Sequence, residues 1–218
     1  MMFDLSRLSR QQGAKLLLST VVPRPIAWVV TVDALGKTNA APFSFFNALC
    51  SNPPIVGVGI GQRENADKDT GRNIKQTGEL VINLVPGELA QAMNVSASDF
   101  DPQTDELEVL NLRTLPSYVV RPPRIAECPV ALECGVTNVL DMSSGALIVL
   151  AEVKAVHIAD QFVIDAEKCY IDAPKIGLLG RMHGISYGQV TDLFEMPRLD
   201  PEAAAAKARR NAPSRSRK

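Results

Sequence analysis

Between residues 26 and 158 the chain returns repeatedly to short β-branched, apolar runs, and no helical pattern long enough for a parallel crossover separates them. Residues 26–33 read Ile-Ala-Trp-Val-Val-Thr-Val-Asp, a strand by its length and branching. Residues 33–36 end in Gly36, which tolerates positive φ, and read as a hairpin loop before a returning strand over 37–42. Residues 55–60 alternate large residues with glycine, 80–85 form a further strand, and 130–140 and 146–158 form a long pair around the turn-rich 141–145. Two short helices, 70–76 and 88–95, fall among them. A doubly wound parallel sheet needs a helix between successive strands. The pattern therefore predicts a mainly β chain, folded as an antiparallel barrel or sandwich.

The ends differ from that middle. A loosely amphipathic helix is expected over 6–20 with Ser6 as N-cap. It stops before Pro23-Arg24-Pro25, because a residue preceding proline is pushed out of the helical region. Residues 97–126 are polar and Pro-rich and read as an excursion over the barrel. The 218 residues suit one domain, here 1–200. Residues 201–218 carry six Lys/Arg against one acid, while 1–200 carry 17 against 23. The body is thus acidic, which argues against a nucleic-acid surface there, and the basic tail is expected to be disordered. It reads either as a solvated tail or as a weak tether to an anionic surface or nucleic acid.

Composition removes further classes. With 46% hydrophobic and 22% charged residues the chain is too apolar for wholesale disorder. No apolar run approaches the ~18 residues of a membrane helix. Residues 1–12 carry Asp4, Arg7 and Arg10 and lack the apolar stretch of a signal peptide, so the expected location is the cytoplasm. Cys50, Cys128, Cys134 and Cys169 form no C-x-x-C, and His157 and His183 show no metal-ligand spacing. Neither a disulfide framework nor a metal site is expected.

Two glycine motifs invite functions that their surroundings refuse. Residues 57–61 begin like a dinucleotide fingerprint, but Gln62 stands where the last glycine belongs and no helix follows directly. Glycines in a strand more simply admit another backbone or a ligand. Gly184-Ile185-Ser186-Tyr187-Gly188 matches the G-x-S-x-G elbow, yet both histidines precede Ser186, whereas that fold places its histidine after the serine. A glycine-flanked turn is the better reading, and a serine hydrolase using Ser186 is the remote one.

Three blocks look jointly specialised: residues 23–31, residues 39–54 and Lys68-Asp69-Thr70-Gly71-Arg72-Asn73. Asp69 or Thr70 is placed to cap the helix that follows, leaving other first-turn amides free. Free amides beside a lysine make an anion site. Ser44 and Ser51 add hydroxyl donors, and the second block supplies flat apolar surface for a planar ring. A phosphorylated aromatic cofactor fits such a pairing. A capped surface helix with core aromatics fits the same residues equally well.

The sequence resembles the flavin reductase-like proteins with the FMN-binding split-barrel fold, the flavoredoxin-like branch in particular. The resemblance rests on Pro23-Arg24-Pro25-Ile26-Ala27, on Gly36-x-x-Asn39-x-Ala41-Pro42-Phe43-Ser44-x-Phe46, on Pro53-Pro54 and on Lys68-Asp69-Thr70-x-x-Asn73. It continues through Pro122-Pro123-Arg124-Ile125, Arg181-Met182-His183-Gly184-x-x-Tyr187 and residues 192–198. It implies a six-stranded antiparallel Greek-key split β-barrel with a few flanking helices, a homodimer, and FMN near the subunit interface. Arg24, Ala27, Trp28 and Thr31 would lie along the flavin. Pro42, Phe43 and Ser44 would contact the ring and ribityl chain, and Ser51, Lys68, Thr70 and Asn73 the phosphate or ribityl oxygens. His183 and Tyr187 would approach the cofactor, and His183 and Arg24 are the candidates for steadying its reduced, anionic form. Structural alternatives stay open: core packing for Trp28, Tyr187 and some of the phenylalanines, a carboxylate partner for Arg24, a backbone carbonyl for His183, and solvent for Lys68.

The resemblance implies an oxidoreductase in which NADH or NADPH reduces flavin, or reduces an acceptor through bound FMN, with no catalytic side chain and no metal. The acceptor would be free flavin, a ferric complex or an oxygenase partner, with neither membrane nor nucleic acid involved. An FMN-binding electron carrier without nicotinamide turnover is the alternative.

Overall fold

The computed structural model describes residues 1–63, 66–98, 100–101, 104–190 and 192–211. After helix α1 (Arg10–Thr20) come strands β1 (Ala27–Val32), β2 (Thr38–Phe43), β3 (Phe46–Ser51) and β4 (Pro54–Ile60), helix α2 (Asp69–Thr77) and strand β5 (Glu79–Leu84). Helices α3 (Ala90–Val95) and α4 (Glu106–Val109) precede the long strands β6 (Val130–Asp141) and β7 (Leu147–Ile158). These seven strands form one antiparallel sheet in the order β2-β1-β5-β6-β7-β4-β3. The edge strands β2 and β3 are consecutive in the chain, with only Ser44 and Phe45 between them. The sheet must therefore curl until its edges meet at that corner, which makes a barrel. Where the resemblance implies six strands, seven are present. The strand that sequence reading missed is β3, whose one buried-leaning residue in six gives no alternation to detect.

Local chemistry explains the elements. Asp33 Oδ1 accepts the N–H groups of Leu35 at 2.8 Å and Lys37 at 2.9 Å, and Gly36 has φ +86°, so the β1–β2 turn forms as expected. Ser9, not Ser6, caps α1: its hydroxyl accepts from Gln12 N at 3.2 Å, while Gln12 Oε1 takes the Ser9 N–H at 2.9 Å. Ser6 is held instead by Asp4 in a separate 3-10 turn, Leu5–Arg7. The expected disordered tail begins as a helix, Pro201–Asn211, and residues 212–218 lie outside the described residues.

β1 is buried on both faces. Its Ala27 and Val29 point into the barrel with Val58, Ile82 and Val149, and Ile74 of α2 plugs the end. Trp28 and Val30 point outward, where Met93 of α3, Leu107 of α4 and Ile125 cover them. Leu107, Leu110, Leu112, Val120 and Ile125 of the expected excursion thus lie over the outer face.

The glycines of β4 admit a neighbouring strand, not a nucleotide. A Cβ on Gly57 would stand 2.6 Å from Leu49 Cδ1, and one on Gly59 would stand 2.9 Å from Phe45 Cβ. Leu49 is exposed and its tip is free to swing. Phe45 Cβ is fixed to a backbone whose carbonyl accepts from Gly59 N at 2.7 Å. Gly59→Ala is therefore expected to lose about 1–3 kcal/mol through overpacking, and Gly57→Ala distinctly less. Urea midpoints of the two variants check the ranking.

Candidate functional site

The start of α2 carries groups that could receive an anion. Lys68 holds the cap position in an extended conformation, and no side chain caps the helix. Neither expected cap operates. Asp69 takes Arg72 in an ion pair one turn on, and Thr70 Oγ1 accepts from Asn39 Nδ2 at 2.9 Å. First-turn amides stay open at the end of the helix where the dipole favours negative charge. Among the described residues, the Lys68 side chain makes no hydrogen bond or ion pair.

Two side-chain bridges fix this turn against the barrel. Thr31 of β1 lies opposite Asn39 of β2. Asn39 donates to Thr70, and Asn73 Nδ2 donates to Thr31 Oγ1 at 3.1 Å. Gly71 lets α2 sit close, since a Cβ there would meet Leu147 Cδ1 at 2.9 Å. The amide oxygen of Asn73 is buried without a partner.

A groove of about 120 Å³ opens over this turn. Pro42, Lys68 and Thr70 line it, joined by Asn39, Arg63 and Glu106, which sequence reading did not select. Asn73 faces an adjoining recess that shares Asn39, Asp69 and Glu106 with the groove. Arg63 reaches the Phe100 carbonyl at 3.3 Å. Glu106 is 8% exposed and accepts from Ala40 N at 3.0 Å. Burial holds its carboxyl above the ordinary glutamate value; the Ala40 N–H opposes that rise, and the charges of Asp105 and Asp69 add to it. Asp105 positions Glu106 by capping α4 and by accepting from Thr38 Oγ1. Asn39 was within reach of sequence reading, as a polar residue opposite Thr31 across a hairpin. Glu106 was not, because nothing local says that the excursion folds back onto β2.

The remaining predicted site residues lie elsewhere. Ala27 and Phe43 belong to the barrel interior, and Trp28 is fully buried in the outer cluster. Arg24 is 7% exposed and clamps three backbone carbonyls: Nη1 donates to Leu18 at 2.9 Å and Val21 at 2.7 Å, and Nη2 to Met182 at 2.8 Å. Burial, then the nearby Arg181, lowers its pKa. Both Nη atoms are engaged in tying α1 to the C-terminal strands, while Nε is buried without a partner. Ser44 is half-buried at the barrel corner, and Ser51 is exposed at the β3–β4 turn.

His183 and Tyr187 lie on a hairpin of two further strands, β8 (Leu179–Arg181) and β9 (Tyr187–Gln189). His183 is exposed, and the Arg181 guanidinium lies 4.6 Å over the Tyr187 ring and donates to its hydroxyl. Ser186 is exposed in the turn between these strands, where its N–H donates to the His183 carbonyl at 3.0 Å. It occupies a hairpin turn, as expected, and no strand-to-helix elbow. No cluster of three or more His, Cys, Asp or Glu suited to a metal occurs among the described residues. No helix among them is long and apolar enough to cross a membrane.

The chain has relatives along nearly its whole length. An uncharacterized protein of Deinococcus radiodurans is 41% identical over 205 residues, covering 90% of this chain and 89% of that one. Among solved structures, nitrilotriacetate monooxygenase component B from Bacillus cereus superposes with a TM-score of 0.84 at 26% identity, covering 90% of this chain and 98% of that one. The 2-nitrobenzoate 2-nitroreductase NbaA of Pseudomonas fluorescens gives a TM-score of 0.83 at 30% identity, covering 91% and 96%. The family model for the flavin reductase like domain matches residues 18–170, the span from the end of α1 through the whole seven-stranded barrel. That match covers most of the chain, and the chain belongs to the flavin reductase-like family.

Proposed function

We propose that the chain binds FMN and acts as an oxidoreductase, using NADH or NADPH to reduce flavin or, through bound FMN, another acceptor. The observation that carries this reading is the groove at the start of α2: an unpaired lysine, uncapped amides and the Thr70 hydroxyl converge where a phosphate would sit. The orphaned Asn73 oxygen is an acceptor for a ribityl hydroxyl. These donors and acceptors fit a phosphorylated polyol better than a neutral ring. The groove, about 120 Å³, takes the phosphate end alone, since a drug-sized ligand needs roughly 300 Å³ or more. The ring would therefore lie outside it, along Ala41 and Pro42 of β2 toward Ser44 and the exposed Phe45.

That surface calls for a cover. Phe45 and Leu49 on one side of the barrel are exposed, as are Leu193, Phe194 and Met196 in the extended segment after β9. Such apolar surface supports a homodimer in which a second copy closes over the ring and brings its own hairpin of β8 and β9 close. In this reading His183 and Tyr187 act across the interface, while Arg24 acts only as a structural clamp.

Bound FMN supplies hydride acceptance from a nicotinamide and onward electron delivery. The chain's part is to bind, orient and exclude water. Lys68 Nζ and the first amides of α2 hold the anionic end, and Thr70 and Asn73 fix the polyol. The rigid edge Ala41–Pro42 presents one ring face. No side chain needs to move a proton in a hydride transfer. The likeness to a monooxygenase component supports an oxygenase partner as acceptor, with free flavin or a ferric complex as the others, in the cytoplasm.

Stopped-flow absorbance of FMN-loaded protein tests this. Bleaching of the flavin band by NADH or NADPH is expected. A loaded protein that neither nicotinamide bleaches, but a chemical reductant does, would make it an electron carrier instead.

A further inference from the structure

A buried carboxyl faces the place where the anion is held, and it has no cation of its own. Glu106 is 8% exposed and receives one backbone N–H, from Ala40. Among the described residues it makes no ion pair. It lines both the groove that Lys68 and Thr70 line and the adjoining recess that Asn73 lines. The groups around it are mixed. Asp105 on its own helix and Asp69 on α2 are negative. Lys68 and Arg63 face it across the groove; Arg72, Lys37, Asp33 and Asp101 face it across the recess. A carboxylate desolvated beside two others is costly, and a carboxylic acid there is not. The acid form is also the one that can donate to a phosphate oxygen; the ionised form can only repel it.

We propose that Glu106 selects the phosphorylated ligand: as a neutral acid its O–H donates a hydrogen bond to the phosphate end of the bound flavin, and on ionising it turns the same contact repulsive. This rests on the flavin reading above and adds a specificity-determining residue to it. The sign follows from the two forms. At low pH the acid favours FMN over riboflavin, and the preference falls as pH rises through the raised value of the carboxyl. The second ionisation of the phosphate, near pH 6, works in the opposite direction by making the ligand more anionic for Lys68. Comparison with a variant that cannot ionise separates the two.

Fluorescence quenching of FMN and of riboflavin by the full chain and by Glu106→Gln, from pH 5.5 to 8.5, tests the proposal. Relative to Glu106→Gln, the ratio of FMN to riboflavin affinity in the unsubstituted protein is expected to fall at least tenfold as the carboxyl ionises. In Glu106→Gln, whose amide donates at every pH, the ratio should hold or rise. Parallel profiles in the two proteins would overturn the role of Glu106. So would a ratio in the unsubstituted protein that rises through the phosphate ionisation near pH 6 and keeps all of that gain at higher pH, a result that needs no variant to fold. Absence of FMN binding at every pH, with the chain folded, would remove the flavin reading and this inference together.

Discussion

Glu133→Ala is expected to cost about 3–5 kcal/mol, because it leaves backbone N–H groups without their acceptor at about 1–3 kcal/mol each. Glu133 sits on β6 with no exposed surface, yet it lies outside the flavin groove. Its carboxylate accepts the N–H groups of Tyr118 at 2.7 Å, Val119 at 2.6 Å and Val120 at 3.3 Å, and pairs with His157 Nε2 of β7. One side chain thus ties the segment 118–120 to the longest hairpin of the barrel. Truncation orphans three amides and a histidine at once. Burial would raise this carboxyl, but the amides of Tyr118 and Val119 and the His157 ring outweigh it and hold its pKa below the ordinary value. A carboxyl held low contributes stability that is fully present above the unfolded value of about 4.3 and is lost as pH falls through the folded one. Urea unfolding of the parent and of Glu133→Gln should therefore show a wide gap at pH 7 that narrows below about pH 4. A gap that stays constant down to pH 3 would contradict this assignment.

Lys68→Glu is expected to weaken FMN binding by on the order of 100-fold or more, since a unit charge pair at ~4 Å near a protein surface is worth about 4 kcal/mol at an effective dielectric of ~20. Riboflavin has no phosphate, and its affinity should change less than threefold. Thermal stability should hardly move, because among the described residues Lys68 has no partner to lose. Parallel loss of both ligands would mean that the substitution damaged the site as a whole. Unchanged FMN affinity would mean that the phosphate lies elsewhere.

Much of the fold was legible because its signals are local. The β1–β2 hairpin is written in Asp33 and Gly36, and the long β6–β7 pair in its branched residues. β3 was illegible for a physical reason: it is an edge strand packed on the glycines of β4, so its side chains face solvent and carry no period-two pattern. The groove was half legible. Lys68 and Thr70 share one motif and Pro42 belongs to another, and the three line one groove. Glu106 is brought there by an excursion whose docking depends on Leu107 and Ile125 packing over Trp28, a long-range contact that no window of sequence contains. For Arg24 the expected structural alternative was a carboxylate partner. Its environment is three carbonyls, and only tertiary structure supplies them.

Calorimetric titration of the purified chain with FMN, followed by fluorescence and thermal unfolding on the same sample, tests the central claim most directly. The account predicts saturation at one FMN per chain, quenching of the flavin and a raised melting temperature. No heat, no quenching and no shift at saturating FMN would contradict it.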